Sequence, residues 1–105
     1  MNDSEFNARA DEALKQIEAG LEASDVDLDF EMASAGVLEI EFEDGSKIIV
    51  NRHGAAQEIW VAAKSGGFHY RWDGSAWRDT RGGDELLTAL SKLATDQAGQ
   101  PVQLY

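Results

Sequence analysis

Asp25-Val26-Asp27-Leu28-Asp29-Phe30-Glu31-Met32 alternates acid and apolar residues through eight positions without a break. In a strand, successive side chains point to opposite faces, so this pattern predicts four carboxylates on one side and four apolar groups on the other. Carboxylates two residues apart on a strand stand about 6.5 Å from each other and repel by about 0.6 kcal/mol even at the dielectric of water. Glu18 and Glu22 precede them closely in the chain. Such a row tolerates an unfavourable energy that a bound cation relieves. All of its donors are hard oxygens, which suit Fe²⁺, Fe³⁺, Mn²⁺, Ca²⁺ and Mg²⁺ and give zinc or copper no soft ligand. One ion needs several ligands within about 2.0–2.6 Å, and side chains spaced along a straight strand cannot close such a shell. Several shallow, water-rich, weakly selective sites are therefore expected. An EF-hand is excluded, because its sixth position would be Phe30 rather than Gly and its twelfth Gly36 rather than Glu. The competing reading is a solubility face.

The elements that must carry these groups follow from periodicity. Phe6, Ala10, Leu14, Ile17 and Leu21 recur at helical spacing, which predicts a first helix from Ser4 to Ala23. Asp3 or Ser4 is expected to cap it, and Asp11, Glu18 and Glu22 share one flank. Val26, Leu28, Phe30 and Met32 are the inward row of the first strand, Asp25 to Met32, and Ala33 to Gly36 turn the chain. Further strands are expected at Val37–Phe42, Lys47–Asn51, Glu58–Ala62, Phe68–Trp72 and Ala76–Arg78. Arg52–Gln57 is expected as a loop, with turns at Glu43-Asp44-Gly45, Lys64–Gly67 and Asp73-Gly74. Asp84 is expected to cap a second helix with Leu86, Leu87, Leu90, Leu93 and Ala94 as its apolar stripe, ended by Gly99 and Pro101. Val102, Leu104 and Tyr105 are expected to cover the core. Short connections imply an antiparallel sheet of about six strands, and one apolar stripe per helix places both helices on one sheet face. The fold class is α+β, a two-layer sandwich in helix–sheet–helix order, over a single domain spanning residues 1–105.

Composition narrows the function. The net charge is −11, and residues 1–31 hold ten acids against only Arg9 and Lys15. A phosphate backbone would be repelled, so nucleic acid is excluded as a partner, whereas cations or a basic protein surface would be attracted. No apolar run is long enough to span a membrane, and Met1 to Ala10 lacks the pattern of a signal peptide. With no cysteine there is no disulfide, thiolate site or thiol nucleophile. These features fit a cytoplasmic protein. No phosphate loop, HExxH or serine elbow is present, so an enzyme is not expected; a small hydrolase or ferroxidase is the minor alternative.

On the sheet, Ile59 and Val61 facing the helices would turn Trp60 outward, with Asn51, His53, Glu58 and Lys64 on or near the same face. An exposed Trp on an open sheet face is a candidate binding hot spot. The alternative is that Trp60 only stacks on neighbours such as Arg71. Trp72, Trp77, Phe6, Phe30, Phe42 and Tyr70 read as structural, and His53 and His69 as ordinary surface histidines, His69 with no evident acid partner.

The element order, read with particular residues, resembles the bacterial branch of the frataxin (CyaY) family. The residues that carry the likeness are Asn2-Asp3-Ser4-Glu5-Phe6, Gly36-Val37-Leu38, Gly45-Ser46-Lys47-Ile48-Ile49-Val50-Asn51-Arg52, Trp60-Val61-Ala62-Ala63-Lys64-Ser65-Gly66-Gly67, Trp77 and Leu86-Leu87. The resemblance implies an iron-binding protein in iron–sulfur cluster assembly, acting on a complex of cysteine desulfurase and scaffold protein. It implies iron (Fe²⁺ or Fe³⁺) as a weakly held ligand at Glu18, Glu22, Asp25, Asp27, Asp29 and Glu31, with Ala19 and Ala23 where relatives often carry acids. Asn51 and Trp60 match the surface that meets the scaffold, while His53 and Glu58 replace glutamines usual in the family. A monomer is implied, with metal-induced oligomers left open. The other reading is a metal-independent acidic interaction adaptor.

Overall fold

The computed structural model describes residues 1–34 and 36–105. Among these, the order is α1 (Asp3–Glu22), β1 (Leu28–Ser34), β2 (Val37–Phe42), β3 (Lys47–His53), β4 (Glu58–Ala63), β5 (Gly66–Trp72), β6 (Trp77–Asp79) and α2 (Leu86–Ala98). The six strands form one antiparallel sheet in which spatial order repeats chain order. Both helices contribute to one core on one face of it, as the two-layer α+β reading required. The turn expected at Ala33 to Gly36 includes Ala35, which lies outside the described residues.

α1 buries Phe6, Ala10, Ala13, Leu14, Ile17 and Leu21, a stripe that meets the inward rows of β2, β3 and β4. Those rows are Leu38, Ile40 and Phe42, then Ile48 and Val50, then Ile59 and Val61. Asn2 caps α1 rather than Asp3 or Ser4: its Oδ1 accepts from the Glu5 N–H at 2.8 Å, because the helix opens one residue earlier than expected. α2 is capped by Glu85 rather than Asp84. The Glu85 carboxylate accepts from Leu87 N–H at 2.9 Å and Thr88 N–H at 3.1 Å, while the Asp84 carbonyl is already bonded to Asp79 N–H. Gly99 ends α2 in the left-handed region at φ 70°, which glycine enters without a Cβ clash.

The first strand differs from its expected extent. Leu28 lies opposite Phe42, the last residue of β2 before the Glu43–Gly45 turn, so β2 offers Asp25 and Asp27 no partner. These two acids occupy the connection, where Val26 N–H donates to Ser24 Oγ. Leu28 and Phe30 face the core, but Met32, expected there, is 39% exposed because β1 is the edge of the sheet and its end lacks a neighbour on one side. β3 runs two residues beyond Asn51, since Arg52 and His53 pair with Ile59 and Glu58. β5 begins at Gly66, and β6 sits one residue later than expected.

The C-terminal tail is built into the helix layer. Val102 and Leu104 are buried, whereas Tyr105, expected to help cover the core, is 69% exposed. Thr95 Oγ1 accepts from Val102 N–H at 2.9 Å and Ser91 Oγ from Leu104 N–H at 2.9 Å, fastening the tail to α2. On α1, a Cβ at Gly20 would lie 3.0 Å from Leu104 Cα, so glycine is what lets the two backbones meet. Trp77 packs edge-on against Phe6 and Trp72, and the Arg9 guanidinium lies 4.6 Å above the Trp72 ring, so both tryptophans are structural.

Candidate functional site: an acidic ridge and an aromatic sheet face

The predicted ridge residues fall on three successive segments. Glu18 and Glu22 stand on the last turns of α1, Asp25 and Asp27 in the connection, and Asp29 and Glu31 on β1. Asp11 does not join them; it pairs with Arg52 of β3 instead. Among the described residues none of the six ridge carboxylates makes an ion pair.

The β1–β2 register enlarges the ridge. Asp29 lies directly opposite Glu41 and Glu31 opposite Glu39, so four carboxylates share the open face at the sheet edge and line one shallow depression. Glu39 and Glu41 were missed as site residues. Their outward orientation was legible from the alternation of Val37–Phe42, but their pairing with Asp29 and Glu31 needs the strand register. Lys47 answers part of this charge: its Nζ lies 2.6 Å from Glu39 Oε1, opposite Glu41 across the β2–β3 ladder. That hydrogen bond, together with the charges of Glu39, Glu41 and Glu31, holds the Lys47 ammonium above the usual lysine range. Among the described residues no three acid or histidine side chains converge on one point where a metal ion could be enclosed. The chemistry on offer is diffuse attraction of cations to oxygen donors that face water.

The second surface is the middle of the open sheet face. Trp60 is half-buried, with Ile59 and Val61 in the core on either side of it in sequence. Its ring is sandwiched between His53, centroids 3.8 Å apart, and His69, 4.5 Å apart, both within 10° of parallel. The stacking neighbours are thus the two histidines and not Arg71. His53 is held from below, its Nδ1 accepting from Ala56 N–H. Trp60 Nε1–H donates to Glu58 Oε1 at 2.9 Å, Arg71 donates to Glu58 Oε2 at 2.6 Å, and His69 Nδ1 lies 3.5 Å from Glu58 Oε1. His69 therefore has the acid partner that its sequence surroundings did not reveal. Glu58 is only 6% exposed and its carboxylate is turned to these partners. Asn51 lies opposite Trp60 in register, and Ile49, Ala62 and Gly67 complete a shallow apolar patch around the ring.

The Trp60 hydrogen bond, opposed by burial and aided by Arg71, holds the Glu58 carboxyl below its usual value of 4.5. A carboxyl lowered by folding contributes stability above its unfolded pKa and loses it as pH falls through the folded one. Acidification below pH 4.5 should thus destabilise the wild type more than Glu58→Gln. Urea unfolding midpoints at neutral pH and in this acid range measure the difference; equal acid losses in both would show that Glu58 is not responsible.

The whole chain has known relatives. A family model described as the frataxin-like domain matches residues 1–100. The chain is 65% identical over 104 residues to the iron-sulfur cluster assembly protein CyaY of Dechloromonas aromatica, covering 99% of each. It is 53% identical over 104 residues to the protein of the same name from Paraburkholderia phymatum, covering 99% of this chain and 98% of that one. Among solved structures, frataxin from Psychromonas ingrahamii superposes with a TM-score of 0.92 at 37% identity, over 100% of this chain and 99% of that one. Trimeric frataxin from the yeast Saccharomyces cerevisiae, in a ferrous complex, gives 0.68 at 22% identity, over 91% of this chain and 87% of that one, a likeness of fold.

Proposed function

The chain belongs to the frataxin-like family, and from that premise we propose that it is a non-enzymatic, weak iron binder of the cytoplasm that serves iron–sulfur cluster assembly. Its one domain spans residues 1–105. The observation that carries the iron half is the pairing of Asp29 and Glu31 with Glu41 and Glu39 at one sheet edge, with Lys47 as the one cation in contact with these four among the described residues. Glu18, Glu22, Asp25 and Asp27 precede them along the chain and complete the ridge in this reading. Oxygen donors alone, spread rather than converged, suit reversible holding of Fe²⁺ or Fe³⁺ and tolerate other divalent ions. In the assembly complex the ridge meets a basic surface of a cysteine desulfurase, and Asn51, His53, Glu58 and Trp60 form the face toward the scaffold protein. Glu58 serves there by orienting Trp60, since its own carboxylate is already engaged.

Anaerobic titration with Fe²⁺, followed by NMR, tests the iron half. Resonances of the ridge residues should broaden or shift before any others. Silence at millimolar iron would leave the adaptor reading, for which the stacked, outward Trp60 is the supporting observation. The docking half is tested by asking whether a cysteine desulfurase co-purifies. Trp60→Arg should weaken scaffold binding by about tenfold or more, the usual loss at an aromatic hot spot, and leave the Fe²⁺ titration unchanged. Equal scaffold affinity in the variant would remove this face from the docking surface.

A further inference from the structure

The backbone of β1 has one free side, and the hydrogen-bond pattern identifies which groups it offers. Phe42 N–H donates to the Ser46 carbonyl and Arg52 N–H to the Gly36 carbonyl, so the even-numbered residues of β2 turn their backbone groups toward β3. Glu39 and Glu41 therefore bond toward β1, to Glu31 and Asp29 opposite them. That leaves the N–H and C=O groups of Leu28, Phe30 and Met32 pointing away from the sheet, and among the described residues nothing is bonded to them. The opposite edge differs: β6 has only three residues, and Arg78 is bridged by Glu85 at the start of α2.

An unpaired edge of this length is a template for another strand, and native proteins usually blunt theirs. Here the side chains select the occupant. Asp29 and Glu31 lie on the open face, and Asp25 and Asp27 precede them, so a second copy of β1 would oppose acid to acid. On the other face Leu28 and Phe30 are only half-buried and Met32 is 39% exposed, leaving an apolar row uncovered on its outer side. We propose that β1 accepts an extended, alternating basic and apolar segment of a partner protein as a seventh strand, its lysines or arginines over Asp29 and Glu31 and its apolar residues beside Leu28, Phe30 and Met32. This rests on the reading of the ridge as a protein-docking surface, and adds to it a backbone mode of recognition. Strand addition supplies main-chain hydrogen bonds, and the side chains facing alternately supply specificity. Iron held at Asp29 and Glu31 would weaken such binding, and the segment would displace iron.

The probe is a short capped peptide alternating lysine and valine, added to the full chain. Hydrogen exchange at the Leu28, Phe30 and Met32 amides should slow by about tenfold or more at saturation, as newly bonded amides do. Methylating the peptide nitrogens that face β1 should abolish binding, while methylating the alternate ones should not; this comparison leaves the protein unaltered. Phe30→Pro, which removes one outward N–H at an edge position where proline is tolerated, should weaken binding by a similar factor. Equal affinity for both methylated peptides, or for a peptide with lysines and valines in separate blocks, overturns strand addition and leaves only charge-driven docking, which the desulfurase co-purification decides separately. Slowed outward amides in the protein alone, rising with concentration, would assign the edge to a second copy and overturn the proposal as well.

Discussion

Replacing Asp25, Asp27 and Asp29 with Asn and Glu31 with Gln raises the melting temperature and weakens Fe²⁺ binding by about tenfold or more, because the same carboxylates that repel one another attract the cation. Cross-strand neighbours have Cβ atoms roughly 5 Å apart, closer than residues two apart on one strand, and each such pair repels by about 0.8 kcal/mol at the dielectric of water. Asp29–Glu41 and Glu31–Glu39 are two pairs of this kind. Lys47 relieves Glu39 in part, so the recoverable energy is on the order of 1–2 kcal/mol, a gain of several degrees for a domain of this size. The register also divides the effect. Asp29→Asn with Glu31→Gln should yield most of the thermal gain, and Asp25→Asn with Asp27→Asn little, since the latter two precede the ladder and face no acid across it. Iron affinity should fall in both double variants. Calorimetry and anaerobic Fe²⁺ titration of the two measure this directly, and a lower melting temperature in the Asp29 and Glu31 variant would contradict the account of the ridge as strained.

Leu104→Ala acts at the other end of the molecule and loses stability. Leu104 is 3% exposed, and removing a buried leucine side chain costs about 2–4 kcal/mol. At this chain length that is a fall in melting temperature on the order of 10–20 °C. The site cannot collapse readily around the loss, because Gly20 already brings α1 against the Leu104 backbone and Ser91 holds its N–H. Thermal denaturation measures the loss, and Fe²⁺ titration well below the melting temperature should be unchanged. A loss under about 1 kcal/mol, the range of a surface change, would mean the tail merely rests on the helices.

How much of this was legible beforehand depended on whether the determining interaction was local. The end of β2 could be read directly, since alternation of apolar and acidic residues from Leu38 to Phe42 stops at a Glu-Asp-Gly turn. α1 was readable from its apolar spacing. Its cap was not: Asn2, Asp3 and Ser4 can all accept a backbone N–H, and the choice depends on where the first turn closes. The six ridge acids can be named from the chain, but their alternation puts Asp25 and Asp27 on a strand that in fact begins only where Phe42 supplies a partner. Glu39 and Glu41 joined the ridge, and His69 joined Glu58, through cross-strand proximity that no spacing along the chain encodes. The outward direction of Trp60 follows from alternation along β4, whereas its two stacked histidines depend on the registers of β3, β4 and β5.

Spatial order that repeats chain order has a kinetic consequence. Every hairpin from β1 to β6 closes a short loop, so the sheet can zip from neighbour to neighbour early, without an entropically slow search. The meeting of Gly20 with Leu104 joins segments more than eighty residues apart and is the natural last step. Damage there should accelerate unfolding and leave the refolding rate nearly untouched, which makes the seating of the tail against α1 the latch that sets how long the native state survives.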